Sequence, residues 1–251
     1  MSVAKLTVRN LSKRFHHPPV QALQGVSFQV EDGDFVCIIG PSGCGKSTTL
    51  RLIAGFEHPT EGEVLLDGER VTEPGPDRAM VFQDLNQLFP WKTTLKNVLY
   101  PLQINRLYKN EAERVATAKR YLRMVGLEEN FDQAFPHQLS GGMKQRVAIA
   151  RALALDPKVL LMDEPFGSVD AQTRTTLQQE LLRIWEATQK TIIFVTHNIE
   201  EAIILGTRII VFGTNPGRIL EIFDNPLSRP RLPSDPVFGE FWETLFALLK
   251  Q

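Results

Sequence analysis

The most informative segment of the sequence is Gly40-Pro41-Ser42-Gly43-Cys44-Gly45-Lys46-Ser47, which follows the apolar run Phe35–Ile39. It fits the pattern G-x-x-x-x-G-K-[ST], and a helix-forming run at residues 48–54 comes after it. Glycines let successive backbone N–H groups curl around an oxyanion, and a helix start adds unpaired donors and the positive end of its dipole. Lys46 is expected to reach the β- and γ-phosphates, and the Ser47 hydroxyl to ligate Mg²⁺. The sequence therefore predicts a nucleoside triphosphate site.

Length, charge and cysteine content define the class of protein. The chain has 251 residues, with 28 Lys+Arg against 29 Asp+Glu and a formal net charge of −1. This length fits one large domain or two small ones, and the balanced charge disfavours a nucleic-acid binder. No apolar run approaches the roughly 20 residues of a membrane-spanning helix, and the N-terminus lacks a signal-peptide core. Cys37 and Cys44 predict no disulfide framework or metal cluster. The composition predicts a soluble intracellular protein.

Apolar runs of strand length alternate with helical periodicity along the chain. Continuous β-branched runs, typical of strands covered on both faces, occur at Phe35–Ile39 and at residues 79–82, 159–162, 192–195 and 209–212. Alternating runs, typical of antiparallel strands, occur at residues 5–8, 26–30 and 63–66. Helical spacing occurs at residues 111–125, 171–188 and 238–249. This order predicts an α/β core with a mainly parallel sheet. An extended connector is predicted where prolines cluster, at Pro226, Pro230, Pro233 and Pro236.

Two adjacent carboxylates end the apolar run at residues 159–162. Asp163 and Glu164 follow it directly, and strand alternation is expected to send their side chains to opposite sides. One carboxylate can then support the magnesium shell while the other faces an attacking water. A general base contributes typically about 10²–10⁴-fold to a rate, so the second carboxylate favours a hydrolase over a mere nucleotide binder.

A second turn suited to phosphate lies at Leu139-Ser140-Gly141-Gly142. Ser140 is a natural N-cap, and the two glycines let a ligand approach the exposed N–H groups of the helix that follows. Because residues 40–47 already account for the γ-phosphate, this turn suggests that the nucleotide of a partner chain docks on it. By itself, Ser-Gly-Gly also fits any capped helix.

With these motifs in place, the chain closely resembles the ATP-binding subunit of ABC transporters. Gln83 matches that family's Q-loop and Asp170, in Ser168-Val169-Asp170, its D-loop. His197 matches the switch histidine, and Phe15 matches the aromatic residue that stacks on adenine. The resemblance implies a P-loop NTPase fold with a mainly parallel core sheet, an N-terminal antiparallel β-subdomain and an inserted α-helical subdomain. It implies a nucleotide-binding domain over residues 1–223, with the helical subdomain near 84–155, and a connector with an amphipathic helix over 224–251.

The resemblance also assigns roles to individual residues. It implies ATP and Mg²⁺ as cofactors and ATP hydrolysis coupled to transport, with Lys46, Gln83, Glu164 and His197 as the catalytic residues. Gln83 is implied to sense both the metal and the membrane partner. The ligands implied for magnesium are Ser47, Gln83 and Asp163. The residues implied to bind nucleotide are Phe15, Gly40, Pro41, Ser42, Gly43, Cys44, Gly45, Lys46, Ser47, Thr48, Ser140, Gly142 and Asp170.

Within the family, the chain looks like the ATPases of the nitrate, aliphatic sulfonate and taurine import group. The segments that carry this likeness include Pro74-Gly75-Pro76-Asp77-Arg78 and Pro216-Gly217-Arg218-Ile219. The likeness implies import of a small anion and a homodimer of nucleotide-binding subunits. Its further implied partners are two integral permease subunits and, indirectly, a periplasmic or extracellular solute-binding protein, with the chain peripheral on the cytoplasmic face of the cell membrane. No nucleic acid is expected; the alternative is a soluble ABC ATPase acting on nucleic acid or a protein complex.

Three features of the sequence each allow two interpretations. The apolar cluster Leu88-Phe89-Pro90-Trp91 is either subdomain core or a surface for a coupling helix of the permease. The C-terminal amphipathic helix docks either on its own domain or on a partner. Cys44 is either a small packing residue or a redox-sensitive thiol.

Overall fold

The computed structural model describes residues 4–250 and divides into two compact units. The first unit joins the chain up to Gly75 with the chain from Gln189 onward, and the second unit is Pro76–Thr188. Within the described range, no helix combines the length and apolar character that a bilayer crossing demands.

The strands and helices follow the alternation predicted from the sequence. The strands are β1 Leu6–His16, β2 Pro19–Val30, β3 Phe35–Ile39, β4 Glu61–Leu66, β5 Glu69–Arg70, β6 Arg78–Val81, β7 Val159–Asp163, β8 Thr191–Thr196, β9 Arg208–Gly213 and β10 Arg218–Asp224. The α-helices are α1 Lys46–Ala54, α2 Thr94–Ile104, α3 Glu111–Met124, α4 Gly141–Ala154, α5 Ala171–Thr188, α6 Ile199–Leu205 and α7 Pro236–Leu249. Short 3₁₀ turns occur at Leu85–Gln87, Glu129–Phe131 and Pro136–Gln138.

The first unit contains two sheet regions. One is antiparallel, in the order β2-β1-β4-β5. In the other, β3 pairs in parallel with β8 and β9, and β9 pairs antiparallel with β10. Every residue of β3 and β8 is buried, which explains why both read as continuous apolar runs. The C-terminal helix α7 packs on α6 and β9, with the rings of Phe241 and Phe223 edge-to-face at 5.8 Å between centroids.

The second unit combines a parallel strand pair with helices. Strands β6 and β7 pair in parallel, from Arg78 opposite Val159 to Val81 opposite Met162. Helices α2, α3 and α4 pack on one another, and α4 also contacts α5. Their buried residues are mainly apolar, as the spacing of α3 and α5 predicted.

The predicted α/β fold class is confirmed, and the differences lie in individual elements. The sequence analysis did not predict α2, which carries Pro101 inside it, nor α6, which has only 7 residues. The segments predicted at residues 5–8 and 26–30 are parts of strands of 11 and 12 residues. Pro236 was predicted to lie in an extended connector, but it is the first residue of α7, where its missing N–H costs no hydrogen bond. The predicted boundary between residues 1–223 and 224–251 stays a prediction.

Candidate active site

The loop from Gly40 to Gly45 connects the buried strand β3 to helix α1 in the first unit. Gly45 precedes α1 with φ of 93°, a left-handed conformation that a side chain disfavours, and no side chain caps the helix start. Ser42 and Gly43 are exposed. The turn thus presents the start of a helix to solvent through small residues, as an anion-binding loop requires.

Lys46 is buried at the first position of α1, with 4% of its surface exposed. Its Nζ donates hydrogen bonds to the carbonyl oxygens of Gly40 at 2.8 Å and Pro41 at 2.9 Å. A buried ammonium needs such partners because desolvation is costly. The two carbonyls therefore fix a positive charge inside the loop, where the sequence analysis placed the phosphates.

The base of the loop is closed by Cys44 and Gly217. Cys44 is fully buried, and a Cβ on Gly40 would lie 2.6 Å from its Sγ, so the thiol is a packing group. Burial raises the pKa of Cys44. A Cβ on Gly217 would lie 2.2 Å from the Cys44 carbonyl oxygen and 2.7 Å from that of Ala22. Only glycine allows this close approach of two backbones, which the sequence analysis did not predict.

His197 follows β8 and lies at the same sheet edge as the loop. Ile39 pairs with Thr196 in parallel register, so Gly40 and His197 leave adjacent strands side by side. His197 is exposed. Behind it, the Thr196 hydroxyl donates to the buried Glu201 carboxylate at 2.5 Å, and the Asn198 side chain caps α6 by accepting from the Glu201 N–H. The sequence analysis missed this network, although Asn198 followed three residues later by Glu201 is a local pattern that indicates the start of a helix.

Phe15 lies in β1, opposite Val20 of β2. Its ring is half-buried, and the Lys13 Nζ lies 5.0 Å from the ring centroid. The sequence analysis did not single out Lys13, because it belongs to none of the motifs described there.

In the second unit, Gln83 follows β6, and Asp163 and Glu164 lie at the end of its parallel neighbour β7. Asp163 is the buried last residue of β7. The position of a Cβ on Gly167 would be 3.7 Å from the Gln83 Nε2 and 3.9 Å from the Glu164 Oε2, so both groups flank this glycine.

Glu164 has φ of 42°, a left-handed conformation that is uncommon for a residue with a side chain. Its carbonyl accepts a hydrogen bond from the Gly167 N–H at 3.1 Å, which closes a turn. The strand ends at Asp163, so this turn, rather than strand alternation, sets the direction of the Glu164 side chain. The physical reason given for the separation of the two carboxylates is corrected accordingly.

Ser140 is the N-cap of α4, as predicted, and its hydroxyl accepts from the Met143 N–H at 3.2 Å. A Cβ on Gly142 would lie 2.6 Å from the Thr173 Cγ2, so this turn packs on the start of α5. There the Asp170 carboxylate accepts from the Thr173 N–H at 3.0 Å, and this hydrogen bond lowers the pKa of Asp170. The Ser140 turn and Asp170 are thereby linked through Thr173.

An apolar groove also lies in the second unit, with a cavity of about 360 Å³. Its lining includes Met80, Phe89, Tyr100, Ile104, Arg151 and Leu155. The predicted cluster at residues 88–91 divides here, because Leu88 is 3% exposed whereas Trp91 is 70% exposed. The rings of Phe89 and Trp91 lie 5.6 Å apart, and the Arg151 guanidinium lies 5.7 Å from the Phe89 ring.

Comparison with known proteins identifies relatives over almost the whole chain. A protein from Methanocaldococcus jannaschii described as an uncharacterized ABC transporter ATP-binding protein is 50% identical over 248 residues, covering 98% of this chain and 91% of that protein. A bicarbonate transport ATP-binding protein of Synechocystis is 46% identical over 94% of this chain and 86% of its own. An aliphatic sulfonates import ATP-binding protein of Bacillus cereus is 45% identical, covering 94% of this chain and 92% of that protein. A nitrate import ATP-binding protein of Synechococcus elongatus is 45% identical, covering 92% of this chain and 86% of that protein.

A solved structure and a family model agree with these relatives. The dimeric structure of an ATP-binding cassette in a post-hydrolysis state, bound to ADP and phosphate, is 36% identical with a TM-score of 0.78, covering 89% of this chain and all of that one. The family model described as ABC transporter matches residues 23–167, which include the phosphate loop, the Ser140 turn and Glu164. These findings confirm the resemblance stated from the motifs. This chain belongs to the ABC transporter family and is an ATP-binding subunit with ATPase activity.

Proposed function

We propose that this chain hydrolyses ATP to energise the import of a small anion through an ABC transporter. The observation that carries the ATPase proposal is the buried Lys46 ammonium, held by two carbonyls of the loop at the start of α1. The import proposal rests on the relatives, which are named for sulfonate and nitrate import and for bicarbonate transport. Bicarbonate extends the predicted group by another small oxyanion.

In the proposed mechanism, the chain positions charge rather than forming covalent intermediates. Residues Gly40, Pro41, Ser42, Gly43, Cys44, Gly45, Ser47 and Thr48 supply the loop and helix start that hold the phosphates. Lys46 offsets the negative charge that develops on the transferred phosphoryl group, which is the kind of electrostatic stabilisation that dominates many enzymatic rate gains. Phe15 stacks on the adenine base.

The residues present fit a magnesium ion bound together with the nucleotide. Ser47 offers a hydroxyl, Gln83 an amide oxygen and Asp163 a carboxylate, which are the hard oxygen ligands that Mg²⁺ prefers. Among residues 4–250, no group of three acidic, His or Cys side chains could hold a metal alone. A site with one carboxylate therefore relies on phosphate oxygens as well, as magnesium sites of nucleotide enzymes do. When bound, the ion neutralises phosphate charge.

Glu164 is proposed to accept a proton from the attacking water, and Gln83 to help orient that water and the metal shell. The turn at Gly167 supports this pairing because it lies beside both side chains. His197 is proposed to hold the γ-phosphate and water in register. Its exposure next to the end of β3 supports that role.

Hydrolysis is proposed to require a second copy of the chain. The Ser140 turn, with Gly142 and Asp170, would contact the nucleotide held by the loop of the partner copy. The dimeric state of the related cassette supports this arrangement.

The permease is proposed to contact the groove beside Phe89 and Trp91. The Trp91 indole is 70% exposed, and its ring centroid lies 5.6 Å from that of Phe89, which lines the apolar groove. An exposed indole beside an apolar groove suits a short amphipathic helix of a membrane subunit. Two permease subunits would hold the chain on the cytoplasmic face of the membrane, with a solute-binding protein on the other side.

The substitution Glu164→Gln tests the hydrolytic role. It keeps the size of the side chain and removes its basicity, so ATP binding should persist, phosphate release should fall by about 100-fold or more, and an ATP-bound dimer should accumulate. Glu243→Gln, at an exposed position of α7, is the matched control. Undiminished phosphate release in Glu164→Gln would remove that residue from its role.

The transport proposal has its own tests. Trp91→Ala should uncouple transport from ATP hydrolysis in the assembled transporter while basal hydrolysis persists; equal loss of both would assign Trp91 to packing. Purification with the membrane partners and the solute-binding protein, followed by identification of the bound solute, should give a small anion. Stimulation of hydrolysis by nucleic acid would instead favour the soluble alternative.

A further inference from the structure

Lys13 occupies a position that nucleotide binding alone does not explain. Its side chain is 12% exposed, and its Nζ donates to the Glu57 carboxylate at 2.8 Å and to the His58 carbonyl oxygen at 2.8 Å. The same ammonium lies 5.0 Å from the centroid of the Phe15 ring. Three interactions therefore hold one cation against one aromatic face.

The anchors of Lys13 belong to the segment that leaves α1. The N–H groups of Phe56 and Glu57 both donate to the Arg51 carbonyl oxygen in the last turn of that helix, at 2.9 and 3.3 Å. Because α1 begins at the phosphate loop, Lys13 connects the strand that carries Phe15 to the helix that carries Lys46. All of these residues lie in the first unit.

We infer that Lys13 is a positioning residue for the nucleotide base: held by Glu57 and the His58 carbonyl, it covers one face of the Phe15 ring and fixes the ring so that its other face receives the base. The inference rests on the role proposed above for Phe15. A ring that is already immobilised loses less side-chain entropy when a ligand stacks on it. A cation held at about 5 Å from the ring also resists rotation of the ring by cation–π attraction.

The experiment compares a ligand with a base and a ligand without one. ADP and inorganic pyrophosphate are titrated calorimetrically into the full chain and into Lys13→Met, Phe15→Leu and the double variant. Met keeps the aliphatic length of lysine and removes the charge. Arg14→Met, at the exposed neighbouring position, is the matched control.

Lys13→Met should weaken ADP binding by about two- to tenfold and leave pyrophosphate binding unchanged. In the Phe15→Leu background, the further loss from Lys13→Met should disappear, because the cation then has no ring to hold. Equal weakening of both ligands, or additive losses in the double variant, would overturn the inference. Phe15→Leu with unchanged ADP affinity would instead overturn the role of Phe15 itself.

A second variant guards against misfolding of Lys13→Met. Glu57→Gln leaves Lys13 in place but removes its anionic anchor, so ADP affinity should fall in the same direction with pyrophosphate affinity preserved. An unchanged ADP affinity in Glu57→Gln would assign the fixing of the ring to Lys13 and His58 alone and contradict the anchoring role of Glu57.

Discussion

The left-handed backbone of Glu164 predicts that a glycine variant is more stable than an alanine variant at this position, which reverses the usual order of stability. Glu164 has φ of 42°, where any Cβ approaches the neighbouring carbonyl. Glu164→Ala and Glu164→Gly remove the same side-chain interactions, so their difference isolates the cost of the Cβ. Elsewhere in regular structure, glycine is less stable than alanine by about 0.5–1 kcal/mol.

At Glu164 the steric cost, about 1–2 kcal/mol for a residue with a Cβ, exceeds the entropic cost of glycine. Glu164→Gly should therefore be more stable than Glu164→Ala by about 1 kcal/mol. For a chain of this size, that difference corresponds to an increase of about 2–4 °C in the melting temperature. Thermal unfolding followed by circular dichroism, at one protein concentration and without nucleotide, measures it.

Two control positions calibrate the comparison. Arg106 is exposed, has φ of 52° and follows the end of α2. Arg106→Gly should therefore again be more stable than Arg106→Ala. Gln179 is exposed within α5, so the free energy of unfolding of Gln179→Ala should be about 1 kcal/mol higher than that of Gln179→Gly. If Glu164→Ala proves as stable as Glu164→Gly while both controls behave as expected, the claim that a strained backbone aims this carboxylate is wrong.

Three further predictions concern buried polarity, a close backbone contact and a titrating carboxylate. Gln145 is fully buried, and neither of its side-chain polar atoms has a hydrogen-bond partner among the described residues. Gln145→Met should therefore raise the free energy of unfolding by about 1 kcal/mol, measured by thermal unfolding. A variant less stable than the wild type would show that the amide is hydrogen-bonded. Gly217→Ala would place a Cβ 2.2 Å from the Cys44 carbonyl oxygen, so ATP affinity should fall by at least about tenfold in calorimetry, and wild-type affinity would contradict this. The pKa of Asp170 is lowered from 3.8 by the Thr173 N–H, so the carboxylate stabilises the start of α5 at higher pH and loses that effect as the pH falls through the lowered pKa. Urea unfolding between pH 7 and pH 3 should show a smaller loss in Asp170→Asn than in the wild type; identical pH profiles would refute the assignment.

The sequence predicted the elements whose local pattern agrees with their environment. Strand β3 and helix α5 have the predicted bounds because burial on both faces gives a continuous apolar run and burial on one face gives helical spacing. Helix α2 was missed because Pro101 contradicts helix propensity, although tertiary packing of Val98 and Leu102 outweighs that cost.

The candidate site was predictable where a motif fixes both residue type and spacing. The phosphate loop and the Ser140 cap are of this kind. The φ of Glu164, the approach of Gly217 to Cys44 and the contact of Lys13 with Phe15 were not, because each depends on tertiary neighbours that no short pattern encodes. The φ of Glu164 also changes the reason for the separation of the two carboxylates, whereas the role of Glu164 stays a prediction.

The division of the chain has a consequence for its synthesis on the ribosome. Pro76–Thr188 is one uninterrupted segment, so every residue of the second unit is available once Thr188 has emerged. Strand β3 instead waits for its parallel neighbours β8 and β9, which begin at Thr191 and Arg208. The nascent phosphate loop therefore stays without its sheet until most of the polypeptide has been translated, and nucleotide capture becomes possible only near the end of elongation.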